Sequence, residues 1–90
     1  MSDWNLYLMR CRDNSLYTGI STDVTRRFAE HQGSGSKRSK YLKGRGPLNL
    51  VFQQKLDSKS LALKAELRVK RMSKSRKEKL VEHAQYEEES

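Results

Sequence analysis

SLYTGISTDVTRRFAEHQ, residues 15–32, is the stretch on which the fold turns. Leu16 to Ser21 reads as a β-strand, Ser21-Thr22-Asp23 is polar, and Val24 to Gln32 has the apolar spacing of a helix. Any of those three polar residues can cap the helix, because each side-chain oxygen accepts a backbone N–H of the first turn. Gly33 stops it. Within these few residues stand Tyr17, Gly19, Arg27 and His31, at offsets that ordinary packing explains singly but not together.

Working outward, Trp4 to Cys11 (WNLYLMRC) predicts a strand whose two faces are both apolar, with Leu6 and Leu8 on one side and Tyr7, Met9 and Cys11 on the other. Such a strand is covered on both sides. The short polar link Arg12-Asp13-Asn14-Ser15 joins the two runs as a β-hairpin. Downstream, Gly33 to Gly46 is a glycine-, serine- and lysine-rich loop with room for one helical turn near Lys40–Lys43, and Pro47 ends it. Leu48 to Leu56 is a third strand. Asp57-Ser58 caps a second helix through about Met72, its apolar stripe being Leu61, Ala65, Val69 and Met72. Ser73 restarts a shorter, charged helix to about Ala84. The order ββαβαα predicts an α/β (α+β) domain, a small three-stranded antiparallel sheet flanked by helices.

Ninety residues make one domain, expected over residues 1–86 with an acidic, disordered tail at 87–90. A chain this short buries roughly 60–68% of its unfolded surface, which excludes a second catalytic or recognition domain. Nineteen Lys and Arg against eleven Asp and Glu give a net charge of +8, and four of the acids (Glu82, Glu87, Glu88, Glu89) lie at the C-terminal end. The body is therefore more basic than the total, which favours a polyanionic partner. Cys11 is the single cysteine, so an intrachain disulfide and a cysteine-built zinc site are excluded, and its apolar setting makes it a core residue. With neither a signal-peptide pattern nor the ~20 apolar residues of a membrane span, the chain reads as cytoplasmic.

At about 100° per residue, Val24 and Phe28 face inward, Arg27 and His31 fall beside that face, and Arg26 and Glu30 point to solvent. A cation and an imidazole are thus held against the sheet. The plain alternative is an Arg snorkelling along the core and a satisfied half-buried His. Tyr7 and Tyr17 share a strand face, and Gly19 leaves that surface bare for close approach of a substrate. Simple packing of strand tyrosines competes with this reading. Glu66 lies beside Ala62 at the edge of the second helix's stripe. It either makes an ion pair with Lys70, worth ~0.3–0.5 kcal/mol, or holds a Mg²⁺ ion that keeps most of its waters.

The set Tyr7, Tyr17-Thr18-Gly19, Arg27, His31 and Glu66 resembles the GIY-YIG nuclease domain, in the tyrosine spacing, the Arg ten residues after Tyr17 and the His four later. The resemblance covers nearly the whole chain and is to the small stand-alone bacterial YhbQ-like group. It implies metal-dependent hydrolysis of a nucleic-acid phosphodiester, DNA above all, in DNA processing or repair. Glu66 would hold one divalent cation, Mg²⁺ or Mn²⁺. Tyr7, its pKa lowered by metal-bound groups, would be the favoured general base, supported by Tyr17. Arg27 would neutralise the phosphate in the transition state, and His31 would orient the phosphate or assist proton transfer. The choice of base among Tyr7, Tyr17 and His31 stays open. The chain departs from the pattern at Leu6-Tyr7-Leu8, which lacks the glycine and isoleucine of the family name. Ile20 stands where several relatives have lysine, and Lys77-Glu78-Lys79 where many have asparagine.

Lys37, Arg38, Lys40, Lys43 and Arg45 crowd the loop, and Lys70 and Lys74 belong to a second basic concentration on the last two helices. Such cations pair with phosphates without regard to sequence. Tyr41 either stacks a base or anchors the loop. No element resembles a base-reading motif, so activity is expected to be structure-directed or broad unless a partner protein supplies specificity. The alternative function is a non-catalytic nucleic-acid-binding module that keeps the fold; a third is an adaptor whose charge serves solubility.

Overall fold

The elements run β1 (Trp4–Arg10), β2 (Leu16–Ser21), α1 (Val24–Gln32), β3 (Asn49–Leu56), α2 (Lys59–Lys70) and α3 (Lys74–His83). The structure, a computed structural model, describes residues 3–32 and 47–84. The expected helical turn near Lys40–Lys43, Tyr41, the cations Lys37, Arg38, Lys40, Lys43 and Arg45, and the acidic tail at 87–90 lie outside the described residues.

The predicted antiparallel sheet forms in the order β2-β1-β3. As the middle strand, β1 has both edges paired and both faces covered, which is why its sequence is apolar at nearly every position. Leu6 and Leu8 pack with Phe52, Ala65 and Val69 on the side of α2 and α3, where Met72, Leu80 and Val81 close the layer. Tyr7, Met9 and Cys11 pack on the other side with Val24 of α1 and Leu48, joined by Tyr17 and Phe28. A register shift between Leu8 and Met9 marks an irregularity in the β1–β3 ladder.

Local chemistry fixes the connections. In the hairpin, Cys11 N donates to Ser15 O at 2.9 Å, and Asn14 adopts φ 70°, a left-handed conformation that Asn tolerates. Of the three candidate caps for α1 it is Asp23 that serves, its carboxylate accepting Arg26 N at 3.0 Å, while Ser21 Oγ accepts Asp23 N at 3.0 Å. Ser58 and Ser73 cap α2 and α3 by accepting Leu61 N and Arg76 N, each at 3.2 Å. The Gln32 side-chain amide pairs with both main-chain groups of Leu48 at 3.0 Å, as a neighbouring strand would, and so sets where the chain re-enters the sheet.

The inward face of α2 differs from the expected stripe. Ala62, Ala65 and Val69 are buried, whereas Leu61 is 41% exposed and Leu63 and Leu67 are more so. Residues at i, i+3 and i+7 share a face as well as those at i, i+4 and i+8 do, and small alanines let the helix sit close to the sheet. The helix also ends at Lys70, so Met72 reaches the core from a turn rather than from the helix stripe. A second long-range feature holds α3. Glu78 accepts from Arg10 at 2.7 and 2.6 Å in a two-bond fork and from Lys74 Nζ at 2.9 Å. These cations hold its carboxyl at about 2, well below the ordinary range, and Arg10 is raised in turn by Glu78 against its own partial burial. No helix among the described residues is long and apolar enough to cross a membrane.

Candidate active site

The site is built where the β1–β2 ladder meets α1. Register places Gly19 directly opposite Tyr7, and Tyr17 opposite Met9, so the two tyrosines are diagonal neighbours with ring centroids 6.5 Å apart. A side chain on Gly19 would land on the Tyr7 phenol. This corrects the expectation that Gly19 keeps the surface bare for a substrate. Gly19 is buried, and the space beside it is filled by the protein's own tyrosine ring. Glycine is required here for internal packing.

Helix α1 brings the other two groups. Val24, Arg27 and His31 fall at i, i+3 and i+7, and it is this stripe, with Phe28 at its margin, that faces the sheet. His31 is fully buried rather than half-buried beside the face. Its ring lies 5.4 Å from that of Tyr17 in an edge contact and 6.5 Å from that of Tyr7. The Tyr7 hydroxyl stands 3.3 Å from His31 Nε2 and donates to it in the tautomer that leaves that nitrogen bare. Arg27 donates to Glu30 Oε1 at 3.0 Å and stands near enough to the Tyr7 hydroxyl to act on it. Burial by itself would lower the Arg27 guanidinium, but Glu30 and Tyr7 hold it above its ordinary value. Glu30, expected to point to solvent, is therefore a half-buried partner of Arg27. The i,i+3 spacing of the two was a signal for it that went unread.

Tyr7 is 1% exposed, and burial first, then the neighbouring Tyr17, push its phenol up to about 12. Arg27 pulls the other way through charge and hydrogen bond, and Glu66 adds to the rise. The direction is opposite to the lowered pKa expected of Tyr7 as a base. Desolvation outweighs the one adjacent cation.

Glu66 on α2 stands near enough for its charge to act on Tyr7, and its carboxylate pairs with Lys70 at 3.6 Å, the bland alternative drawn from spacing. Both statements hold at once. Among the described residues no group of three or more His, Cys, Asp or Glu side chains is placed to chelate an ion. A single carboxylate 18% exposed fits only a hard cation that keeps its waters and takes further oxygens from a substrate phosphate. Lys70 and Lys74, expected to bind nucleic acid, present side chains 51% exposed, each tied one turn along its helix to an acid, Glu66 and Glu78.

Of the residues singled out in the sequence, the structure thus gathers Tyr7, Tyr17, Gly19, Arg27 and His31 into one contact cluster, with Glu66 at its edge. Tyr17, Arg27 and Glu66 reach the surface, while Tyr7 and His31 lie behind them.

A model of the GIY-YIG catalytic domain matches residues 3–79. The chain is 56% identical over 82 residues to a UPF0213 protein of Cronobacter sakazakii, spanning 90% of this chain and 83% of that one. It is 53% identical over 81 residues to UPF0213 protein YhbQ of Escherichia coli K12, spanning 90% and 79%. Two solution NMR structures share its fold. A UPF0213 protein of Bacillus halodurans matches with TM-score 0.58 and 41% identity over 90% of this chain and 84% of that one. A protein of E. faecalis matches with TM-score 0.64 and 29% identity over 100% and 96%. The chain with the tyrosine–histidine–arginine cluster therefore belongs to the GIY-YIG family, beside its small stand-alone UPF0213 (YhbQ-like) members.

Proposed function

We propose that this protein is a divalent-metal-dependent nuclease that hydrolyses phosphodiester bonds in DNA, acting in DNA processing or repair in the cytoplasm. The observation that carries the reading is the cluster in which the Tyr7 hydroxyl meets His31 Nε2 at 3.3 Å, with Arg27 acting on the same phenol, Tyr17 closing it and Glu66 at its rim. Packing alone accounts for a buried tyrosine. It does not account for a buried phenol and imidazole in hydrogen-bond contact behind a half-exposed cation and a carboxylate.

Arg27 and Tyr17 reach the surface and so are assigned to the phosphate. Arg27 would exchange its Glu30 contact for phosphate oxygens, placing a fixed positive charge where negative charge develops. Tyr7 enters as a neutral phenol. Its proton has an acceptor at hydrogen-bond distance in His31, so the pair rather than either residue alone is assigned to proton transfer with the attacking water. His31, having no exposed surface, acts through Tyr7 and not on the phosphate. Glu66, displacing Lys70, would hold one Mg²⁺ or Mn²⁺, whose chemistry when bound is to stabilise charge on the leaving oxygen. The cations Lys37, Arg38, Lys40, Lys43, Arg45, Lys70 and Lys74 would bind the nucleic-acid backbone, and a partner protein would supply specificity.

A second reading, a nucleic-acid-binding module without catalysis, is favoured by the raised Tyr7 phenol and by the Lys70 contact on Glu66. The two are separated by incubating the pure protein with single-stranded, duplex and branched DNA and with RNA, in Mg²⁺, Mn²⁺ or EDTA. Cleavage that EDTA abolishes supports the nuclease. Salt-sensitive binding with no cleavage in either metal supports the module.

A further inference from the structure

On the far layer of the molecule, α3 and the turn before it form an open groove of about 160 Å³ lined by Met72, Arg76, Lys79, Leu80 and His83. Its floor is apolar, since Met72 and Leu80 are half-buried against the Leu6–Leu8–Phe52 core. Its rim carries two cations, Arg76 and Lys79, which with His83 recur at i, i+3 and i+7 along one exposed stripe of α3. Among the described residues neither Arg76 nor Lys79 is bound to an acid, whereas Lys70, Lys74 and Arg10 each are. The active-site cluster lies on the opposite face of the sheet, with Tyr7, Met9 and Val24. The groove is thus separate from it.

Size and chemistry together select the ligand. A cavity of ~150 Å³ takes one benzene-sized ring, so the floor of this groove matches the footprint of one planar base. Paired bases in a duplex show only their edges, and the duplex would leave the apolar floor uncovered. A base that is not paired can lie on Met72 and Leu80 while the phosphates on either side of it meet Arg76 and Lys79. We infer that the α3 groove is a second nucleic-acid site that holds one unpaired nucleotide, directing the protein to substrates with a single-stranded segment. The inference rests on the nuclease or nucleic-acid-binding reading above and extends it to a substrate class.

The test is fluorescence anisotropy of the full-length protein in EDTA, so that nothing is cut. The probes are a labelled single strand, the same sequence as a duplex, and the same strand with abasic sites. Wild type is compared with Arg76→Ala/Lys79→Ala, whose side chains are exposed. The expected result is a loss of about tenfold or more in single-strand affinity for the double variant, with a smaller loss on duplex. The slope of log affinity against log salt should fall by about 1.4, two phosphates at ~0.7 each on a single strand. Wild type should bind the abasic strand more weakly than the intact one. Equal losses on single strand and duplex, or equal wild-type affinity for intact and abasic strands, would overturn the groove. So would unchanged binding by the double variant, with the nucleic-acid reading left standing. A wild type that binds none of the three probes would overturn both.

Discussion

Gly19 is a glycine because Tyr7 lies where its side chain would be, and that one contact links packing to the candidate chemistry. Gly19→Ala is expected to push the phenol off its line to His31 and Arg27 and to lower stability by about 1–3 kcal/mol, as overpacking of a filled core does. Urea denaturation checks it. An unchanged midpoint would return Gly19 to the role of a bare surface for substrate. The second residue-scale prediction concerns the phenol itself. With its folded pKa pushed up to about 12 from 10, Tyr7 binds its proton more tightly in the folded state than in the unfolded one. Its contribution to stability is therefore complete below pH 10 and is lost as pH rises toward 12. Comparing wild type with Tyr7→Phe over that window should show a flatter decline for the variant. Equal slopes would mean that the phenol is not held as the structure has it. These positions were legible in the sequence as residue types and spacings. The pKa direction was not, because it depends on how completely the ring is buried, which no spacing reports.

Elements were read well where a periodicity meets a cap, and poorly where two periodicities compete. The hairpin and α1 follow from the turn residues, the polar Ser21-Thr22-Asp23 run and the Val24–Phe28 spacing, and both elements form over the expected residues. In α2, the expected stripe Leu61, Ala65, Val69 and Met72 holds at Ala65 and Val69, yet the close approach permitted by Ala62 and Ala65 set the buried face and left Leu61 exposed. The clasp between β1 and α3 could not be read at all, since Arg10 and Glu78 are 68 residues apart. Glu78 serves as the partner of Arg10 and Lys74. Its folded pKa is depressed to about 2 from 4.5, so the stability it adds is present above about pH 4.5 and is lost as pH falls toward 2. Because the side chain is about one-third exposed (33%), Glu78→Gln is expected to lower stability by only about 1 kcal/mol at neutral pH. The same variant should remove part of the acid slope. Denaturation at pH 6 and pH 3 measures both, and an unchanged difference between the two pH values would show that the clasp contributes nothing in solution.

For the molecule as a whole, the sheet places two different surfaces on its two sides. One carries the tyrosine–histidine–arginine cluster and the other the cationic groove of α3. Composition favours a polyanionic partner, and the resemblance of the ordered set of tyrosines, Arg27, His31 and Glu66 to the GIY-YIG nuclease domain implies a phosphodiester. What the sequence could not supply was depth, namely that Tyr7 and His31 sit behind Tyr17, Arg27 and Glu66 rather than level with them. On the proposed reading, the surface groups would meet the phosphate and the buried groups would handle the proton. The account stands on Glu66 and Arg27 as the reachable pair. The most direct measurement is cleavage of branched and single-stranded DNA in Mg²⁺ or Mn²⁺ by wild type, Glu66→Ala and Arg27→Ala at matched folded concentration. The account predicts metal-dependent cleavage by wild type and a loss of at least ~10²-fold in each variant, with unchanged circular dichroism. Cleavage by either variant at the wild-type rate would contradict it.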